Sequence, residues 1–296
     1  MVEERPDLKH FPLVQGNQEG QRETEGLGHR DFPKTDISQG TILVKIGGST
    51  LGSHDTSLRD LVELQRQGIR SIVVHGGGKI VSDWMQRQGV RPKFIRGLRV
   101  TDTQSMEIVV AVLTGFVNKT LVSSIQALGG RAVGLSGVDG GMIKARIGEP
   151  ELGLVGEVVS IDLEPIEAIM ESGYIPVVAS VATNIYQADD PSQVMLNVNA
   201  DTAAGEIAAA LGVERLIMLT DVEGVLDSSR RLIPRLTQGQ ARQLLGSRVI
   251  ADGMVPKLGA CLKALEKVQS AHIVDGRKSG ILPNTLADGD VGTRLT

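Results

Sequence analysis

From residue 41 onward, apolar residues recur in two alternating rhythms. TILVKI (41–46) is an apolar run broken by a single lysine, the pattern of a strand buried on both faces. After GGST, residues 57–67 place Leu58, Leu61, Val62 and Leu64 on one side of a helix. SIVVH (71–75) predicts a second strand, and a helix follows through Val81 and Trp84. Residues 106–128 predict a long helix carrying Ile108, Val109, Val112, Phe116 and Leu121, and RAVGLSG (131–137) predicts a third strand. Residues 142–161 and 185–197, with their Gly, Asp and Pro turns, read as hairpin excursions. Between them lie a helix over 165–172 and the strand YIPVVAS. A helix from Asp201, the strand RLIMLT, a helix over 254–268, the strand AHIV and a short strand GTRL complete the pattern. Strands alternating with helices imply an α/β fold, a three-layer αβα sandwich with a mainly parallel central sheet. Residues 1–40 mix charges, prolines and glycines without an apolar period, which predicts a mobile tail with at most a short helix over 19–25.

Composition narrows the function classes. The chain has 296 residues, 41% hydrophobic and 22% charged, with a net charge of -4 and 2% aromatics. The mild acidity and scarce aromatics argue against a nucleic-acid partner. The single cysteine, Cys261, excludes an internal disulfide and a CxxC metal site; it fits a helix core and a reducing cytoplasm. No window reads as the roughly 18 apolar residues of a membrane span, and MVEERPDLKH is not a signal peptide.

Candidate chemistry gathers where strands end. Gly47-Gly48 follow the first strand, and Gly76-Gly77-Gly78 follow the second. Sites in parallel sheets lie at the carboxyl ends of strands, and glycine allows backbone N–H groups to approach a ligand. A following helix N-terminus adds positive potential, and Lys45 and Lys79 add ammonium groups, so an anion such as phosphate is expected. Neither GxxxxGK[ST] nor a strand-linked GxGxxG is present.

Asp201 opens a strong helix and reads most simply as its N-cap, with Asn197 and Asn199 as turn residues. Arg99, in RGLRVTD, is either a surface arginine or a fork for a carboxylate. Lys257 follows Gly253 and Pro256 in the first turns of a helix, where a cation opposes the dipole and needs an anionic partner. His75, at a strand end, reads as structural.

VKIGGS, VHGGGK, GLRVTD, VGLSG with DGG, LNVNADTAA, TDVEGV, DGMVPK and HIVDG occur in order between residues 44 and 276. Together they closely resemble the N-acetylglutamate kinases of the amino-acid kinase family, over nearly everything from Thr41 onward. The resemblance implies ATP-dependent phosphorylation of the γ-carboxylate of N-acetyl-L-glutamate. By it, Lys45 neutralises the transferring phosphoryl group, Lys257 stabilises the leaving side, and Asp201 holds both lysines. Gly47 and Gly48 match phosphate-contacting glycines, Gly76 and Gly77 substrate-contacting ones. Arg99 and Asn197 match the groups that grip the acetyl-amino acid. Asp221, Gly224, Val249, Ile250, Ala251 and Gly253 match the nucleotide edge. Mg²⁺ would ride on the ATP phosphates, with no metal ligand from the protein. Within a kinase domain spanning 41–296, residues 41–195 would bind the acetyl-amino acid and residues 196–296 ATP.

The chemistry of the residues agrees. A substrate carboxylate is ionised at pH 7 and needs no general base, and the candidate set holds lysines and amides with no obvious base. Val138 stands where the family commonly has lysine, and residues 182–194 differ from the usual hairpin. The tail has no amphipathic helix before TILVKI, and GRKSGILPNTLADGDVGT matches the arginine-site pattern only in part. These features favour a homodimer over an arginine-inhibited hexamer, and none of them assigns a PII-type regulator. Two rivals remain: an N-acetyl-α-aminoadipate kinase, which would share all the catalytic residues, and a catalytically silent ATP- or amino-acid-binding sensor. The sensor predicts loss of Lys45, Asp201 or Lys257, and all three are present.

Overall fold

The computed structural model describes residues 40–47, 56–186, 194–247, 250, 253–287, 289 and 291–296. Residues 1–39 of the predicted tail, with the helix expected over 19–25, lie outside them. The chain runs β1 (Thr41–Ile46), α1 (Ser57–Arg66), β2 (Arg70–His75), α2 (Gly78–Arg87), then a small hairpin of β3 (Phe94–Ile95) and β4 (Leu98–Arg99). A long helix follows as α3 (Thr103–Val110), a π-helical segment (Ala111–Val117) and α4 (Asn118–Ala127). Next come β5 (Ala132–Ser136), β6 (Ile143–Ile147), β7 (Gly156–Ile161), α5 (Glu164–Glu171), β8 (Ile175–Ala179), β9 (Val181–Asn184) and β10 (Met195–Asn197). The last part is α6 (Ala200–Leu211), β11 (Arg215–Thr220), β12 (Arg235–Leu236), α7 (Gln238–Gly246), α8 (Val255–Ala264), β13 (Ser270–Asp275), α9 (Ile281–Leu286) and β14 (Thr293–Leu295).

The main sheet has the order β12-β14-β13-β11-β1-β2-β8-β5. Its strands from β13 to β5 are parallel, and β14 runs antiparallel to β13. Every residue of β1 and β13 is buried, as apolar runs covered on both faces require. The chain leaves β1 toward β2 on one side and later returns to β11 on the other. That reversal opens a crevice at the carboxyl end of β1, where Lys45 lies between Val74 and Met218. A second sheet, β10-β9-β6-β7, holds both excursions; β6–β7 and β9–β10 are antiparallel pairs. The second excursion starts at Val181, earlier than its apolar pattern suggested, because YIPVVAS runs into β9 with only Ser180 between them.

One expectation from composition fails. Thr103–Ala127 spans 25 residues and contains an 18-residue window of mean hydropathy 1.7, long and apolar enough to cross a membrane by length and composition. Its inner face, including Met106, Val109, Val112, Leu121 and Ile125, is buried in the core. Asn118, halfway along, donates to the carbonyls of Val177 and Leu135 in the sheet. A bilayer offers no such acceptors, and this is the central core helix of the sandwich.

Candidate active site

Asp201 joins two lysines from different elements. Its Oδ1 lies 2.6 Å from Lys45 Nζ on β1, and its Oδ2 lies 3.1 Å from Lys257 Nζ on α8. Lys45 and Asp201 are 6% and 5% exposed. The N-cap of α6 is Asn199, whose side chain accepts from the N–H groups of Asp201 and Thr202. Asp201 is therefore released from capping and sits in the first turn, where its charge also suits the helix dipole. Burial alone would raise its pKa, but the ammoniums of Lys45 and Lys257 outweigh that and hold it below the usual carboxylate range. For Lys45 burial dominates and lowers the pKa; Asp201 opposes the shift and Lys257 adds to it. Such a carboxylate organises cations and is a poor proton acceptor.

Beside this pair lies a cavity of about 210 Å³ lined by Lys45, Asp201, the Gly76–Gly78 turn, Arg99 and Asn197. Its size suits a small metabolite. Gly76 packs against Ala200, and its N–H is already taken by the Ile46 carbonyl at 3.2 Å. A Cβ at Gly77 would meet Leu113 Cδ2 at 2.8 Å, so this glycine admits the π-helical segment. Lys79 does not join the site: it is exposed and pairs with Asp83 on the outer face of α2.

Arg99 is buried, 8% exposed, which rules out the surface reading. Its Nη2 donates to Gly78 O and Ser82 Oγ, and its guanidinium lies 4.8 Å from the Phe94 ring centroid. Burial lowers its pKa from the ordinary arginine value. Asn197 Nδ2 donates to Thr101 Oγ1, and its N–H to the Leu154 carbonyl, which anchors β10 beside the cavity. Leu98, Ser180 and the apolar wall of Val81, Val109 and Leu113 also face the cavity, and sequence reasoning missed them as lining. Only the glycine spacing pointed to this end of the strands.

Asp221, Gly224, Ile250 and Gly253 do not line this cavity. Asp221 is exposed just past β11; Gly224, at φ 156°, packs against Thr293. Ile250 packs on the core and Gly253 precedes α8. Gly47 is buried directly after β1, whereas Gly48, Val249 and Ala251 lie outside the described residues. Among the described residues no group of three or more His, Cys, Asp or Glu stands close enough to hold a metal ion.

His75 is fully buried between the Gly76 carbonyl and the Asn118 amide, each 3.0 Å away. Burial brings its pKa from 6.5 down to about 4, the Gly76 carbonyl opposing and the charges of Lys45 and Lys119 adding. Between those values the unfolded chain binds a proton that the native imidazole refuses. Stability is thus lost as pH falls from 6.5 to about 4 and levels off below. The loss is on the order of 3 kcal/mol. Urea unfolding at pH 7 and pH 4.5 should show it, and His75→Gln should remove that share; an equal pH slope in the variant would refute the assignment.

Residues 40–275 match the amino acid kinase family. The acetylglutamate kinase of Synechococcus sp. is 46% identical over 264 residues, covering 86% of each chain. That of Thermosynechococcus vestitus is 46% identical over 264 residues, covering 86% of this chain and 88% of its own. The smu.665 structure from Streptococcus mutans superposes with a TM-score of 0.74 at 29% identity, covering 87% of this chain and 98% of its own. A mainly parallel sheet with two lysines, one of them buried, held by one aspartate at its switch point, together with this likeness in sequence and fold, places the chain in the amino acid kinase family.

Proposed function

We propose that this chain transfers the terminal phosphoryl group of ATP to the γ-carboxylate of N-acetyl-L-glutamate, the second step of arginine biosynthesis. The observation that carries the proposal is the Lys45–Asp201–Lys257 triad beside a small cavity. Transfer between two anions needs alignment and charge neutralisation, and no proton has to be removed from an ionised acceptor. When bound, ATP supplies the phosphoryl group and carries Mg²⁺ on its phosphates; the two ammoniums and the strand-end amides suit polyphosphate. Lys45, closest to the cavity, neutralises the group in flight. Lys257, on the far side of Asp201, faces the leaving side, and Asp201 fixes the spacing of both charges. Arg99 and Asn197 hold the acetyl-amino acid; Gly47, Gly48, Asp221, Gly224, Val249, Ile250, Ala251 and Gly253 border the nucleotide. Residues 41–195 then form the acetyl-amino-acid lobe and residues 196–296 the ATP lobe of a cytoplasmic homodimer.

The test is ATP-dependent acyl-phosphate formation trapped with hydroxylamine, on N-acetylglutamate and N-acetylaminoadipate in parallel. Hydroxamate from acetylglutamate is expected; product from aminoadipate alone would reassign the substrate, and none from either would leave the silent sensor. One extra methylene is discriminated by about 1–3 kcal/mol, so a preference of roughly 10- to 200-fold is expected. Arg99→Ala should raise KM for acetylglutamate about 10²-fold, as loss of a charged hydrogen-bonding group does, with KM for ATP changed little. A change confined to ATP would remove Arg99 from the acetylglutamate site.

A further inference from the structure

The hydrogen bonds around His75 admit one proton arrangement. Lys119 Nζ lies 3.0 Å from Asn118 Oδ1 and 3.0 Å from the Gly134 carbonyl. An ammonium only donates, so Asn118 turns its oxygen toward Lys119. The same residue's Nδ2 lies 2.8 Å from the Val177 carbonyl and 3.3 Å from the Leu135 carbonyl, and carbonyls only accept. The amide is pinned from both ends. Its Nδ2 has two hydrogens: one goes to the Val177 carbonyl and the other to His75 Nε2 at 3.0 Å, shared with the more distant Leu135 carbonyl, which puts the imidazole proton on Nδ1. Nδ1–H in turn donates to the Gly76 carbonyl at 3.0 Å.

That last bond has a stereochemical consequence. The Gly76–Gly77 peptide is trans, so the Gly77 N–H points opposite to the Gly76 carbonyl of the same peptide. The carbonyl is drawn to buried His75, and the N–H turns the other way, in a turn whose glycines line the cavity. Among the described residues the Gly77 N–H has no backbone partner, whereas the Gly76 N–H is spent on Ile46. The π-helical segment supports the same peptide: Leu113 and Val117 pack on Gly77, and Asn118 follows directly.

We propose that His75 is a positioning residue whose Nδ1–H fixes the Gly76–Gly77 peptide, so that the Gly77 N–H is presented to the anionic acetylglutamate. The Asn118–Lys119 pair fixes the tautomer that makes this possible. The assignment rests on the kinase reading above for the identity of the ligand.

Two substitutions separate positioning from packing. Asparagine carries an amide nitrogen close to where imidazole carries Nδ1, and glutamine reaches the Nε2 position. His75→Asn keeps a donor for the Gly76 carbonyl; His75→Gln keeps the Asn118 contact and loses that donor. We expect H75N to bind acetylglutamate, measured calorimetrically, within about 3-fold of the parent, and H75Q to bind at least about 10-fold more weakly, with kcat lowered as well. Urea midpoints check the fold of both. Binding by H75Q equal to the parent would overturn the proposal, as would H75N and H75Q losing affinity alike in step with their midpoints. A parent protein that binds no acetylglutamate would overturn the kinase reading and with it the ligand named here; binding by parent and H75Q alike overturns the positioning role alone.

Discussion

Asp201→Asn should lower kcat/KM by about 10³-fold at pH 8 and make the remaining activity rise as pH falls. Asp201 is the group that opposes the lowering of the Lys45 pKa, while burial and Lys257 both press it down. With asparagine in its place both depressing influences remain, and Lys45 gives up its proton at lower pH than in the parent. A neutral amine cannot offset the charge of a phosphoryl group, so the variant regains function only where Lys45 is protonated. The pH profile of kcat/KM reports groups of the free enzyme and is the measurement to make, between pH 6 and 9. The parent should fall off with rising pH later than the variant does. Removing the carboxylate also leaves Lys257 facing Lys45 without the ion that joined them. Breaking a buried pair costs about 3–5 kcal/mol, and the lower end is expected because Lys45 can neutralise itself. A variant with a flat profile and activity within a few fold of the parent would show that Asp201 does not set the charge state of Lys45.

The strands of the main sheet other than β12 were legible because burial on both faces leaves almost no polar position in runs such as TILVKI and RLIMLT. α7 was not, since among its described side chains only Ala241 is buried and its start is set by a Thr237–Gln240 capping box. α9 is a six-residue ILPNTL with a proline inside, too short for a period to appear. The β3–β4 hairpin has two residues per strand, so Arg99 looked like a loop residue although the hairpin carries it into a buried place.

The site was legible in place and partly misread in cause. In NVNAD three side chains can cap a helix, and composition alone does not say that Asn199 does so and leaves Asp201 for the lysines. Lys79 follows the glycines in sequence, but the turn of α2 carries it outward to Asp83. Gly77 suggested close approach of a ligand, and the nearest obstacle to a side chain there is Leu113, a contact between segments far apart in the chain. His75 reads as an ordinary buried histidine until its partners Asn118 and Gly76 are seen together.

Lys45→Met should leave both ligands bound and remove turnover, with kcat reduced about 10³-fold or more, the scale on which a cation at a transferring phosphoryl group acts. Methionine is unbranched and apolar, and its strand neighbours at position 45 are Val74 and Met218. Asp201 keeps Lys257 as a partner, so the substitution replaces a buried charge without leaving the carboxylate alone. Stability should therefore change by no more than about 2 kcal/mol, in contrast to Asp201→Asn. Because the ammonium is needed most where charge crosses between donor and acceptor, kcat should fall far more than KM for either substrate changes. Calorimetric binding of ATP and of acetylglutamate to the variant, alongside hydroxamate formation, makes the comparison. Turnover within about 10-fold of the parent would take Lys45 out of the transfer step and leave Lys257 as the working cation. Loss of acetylglutamate binding with ATP binding intact would make Lys45 a substrate anchor, and the neutralising role would then pass across Asp201 to α8.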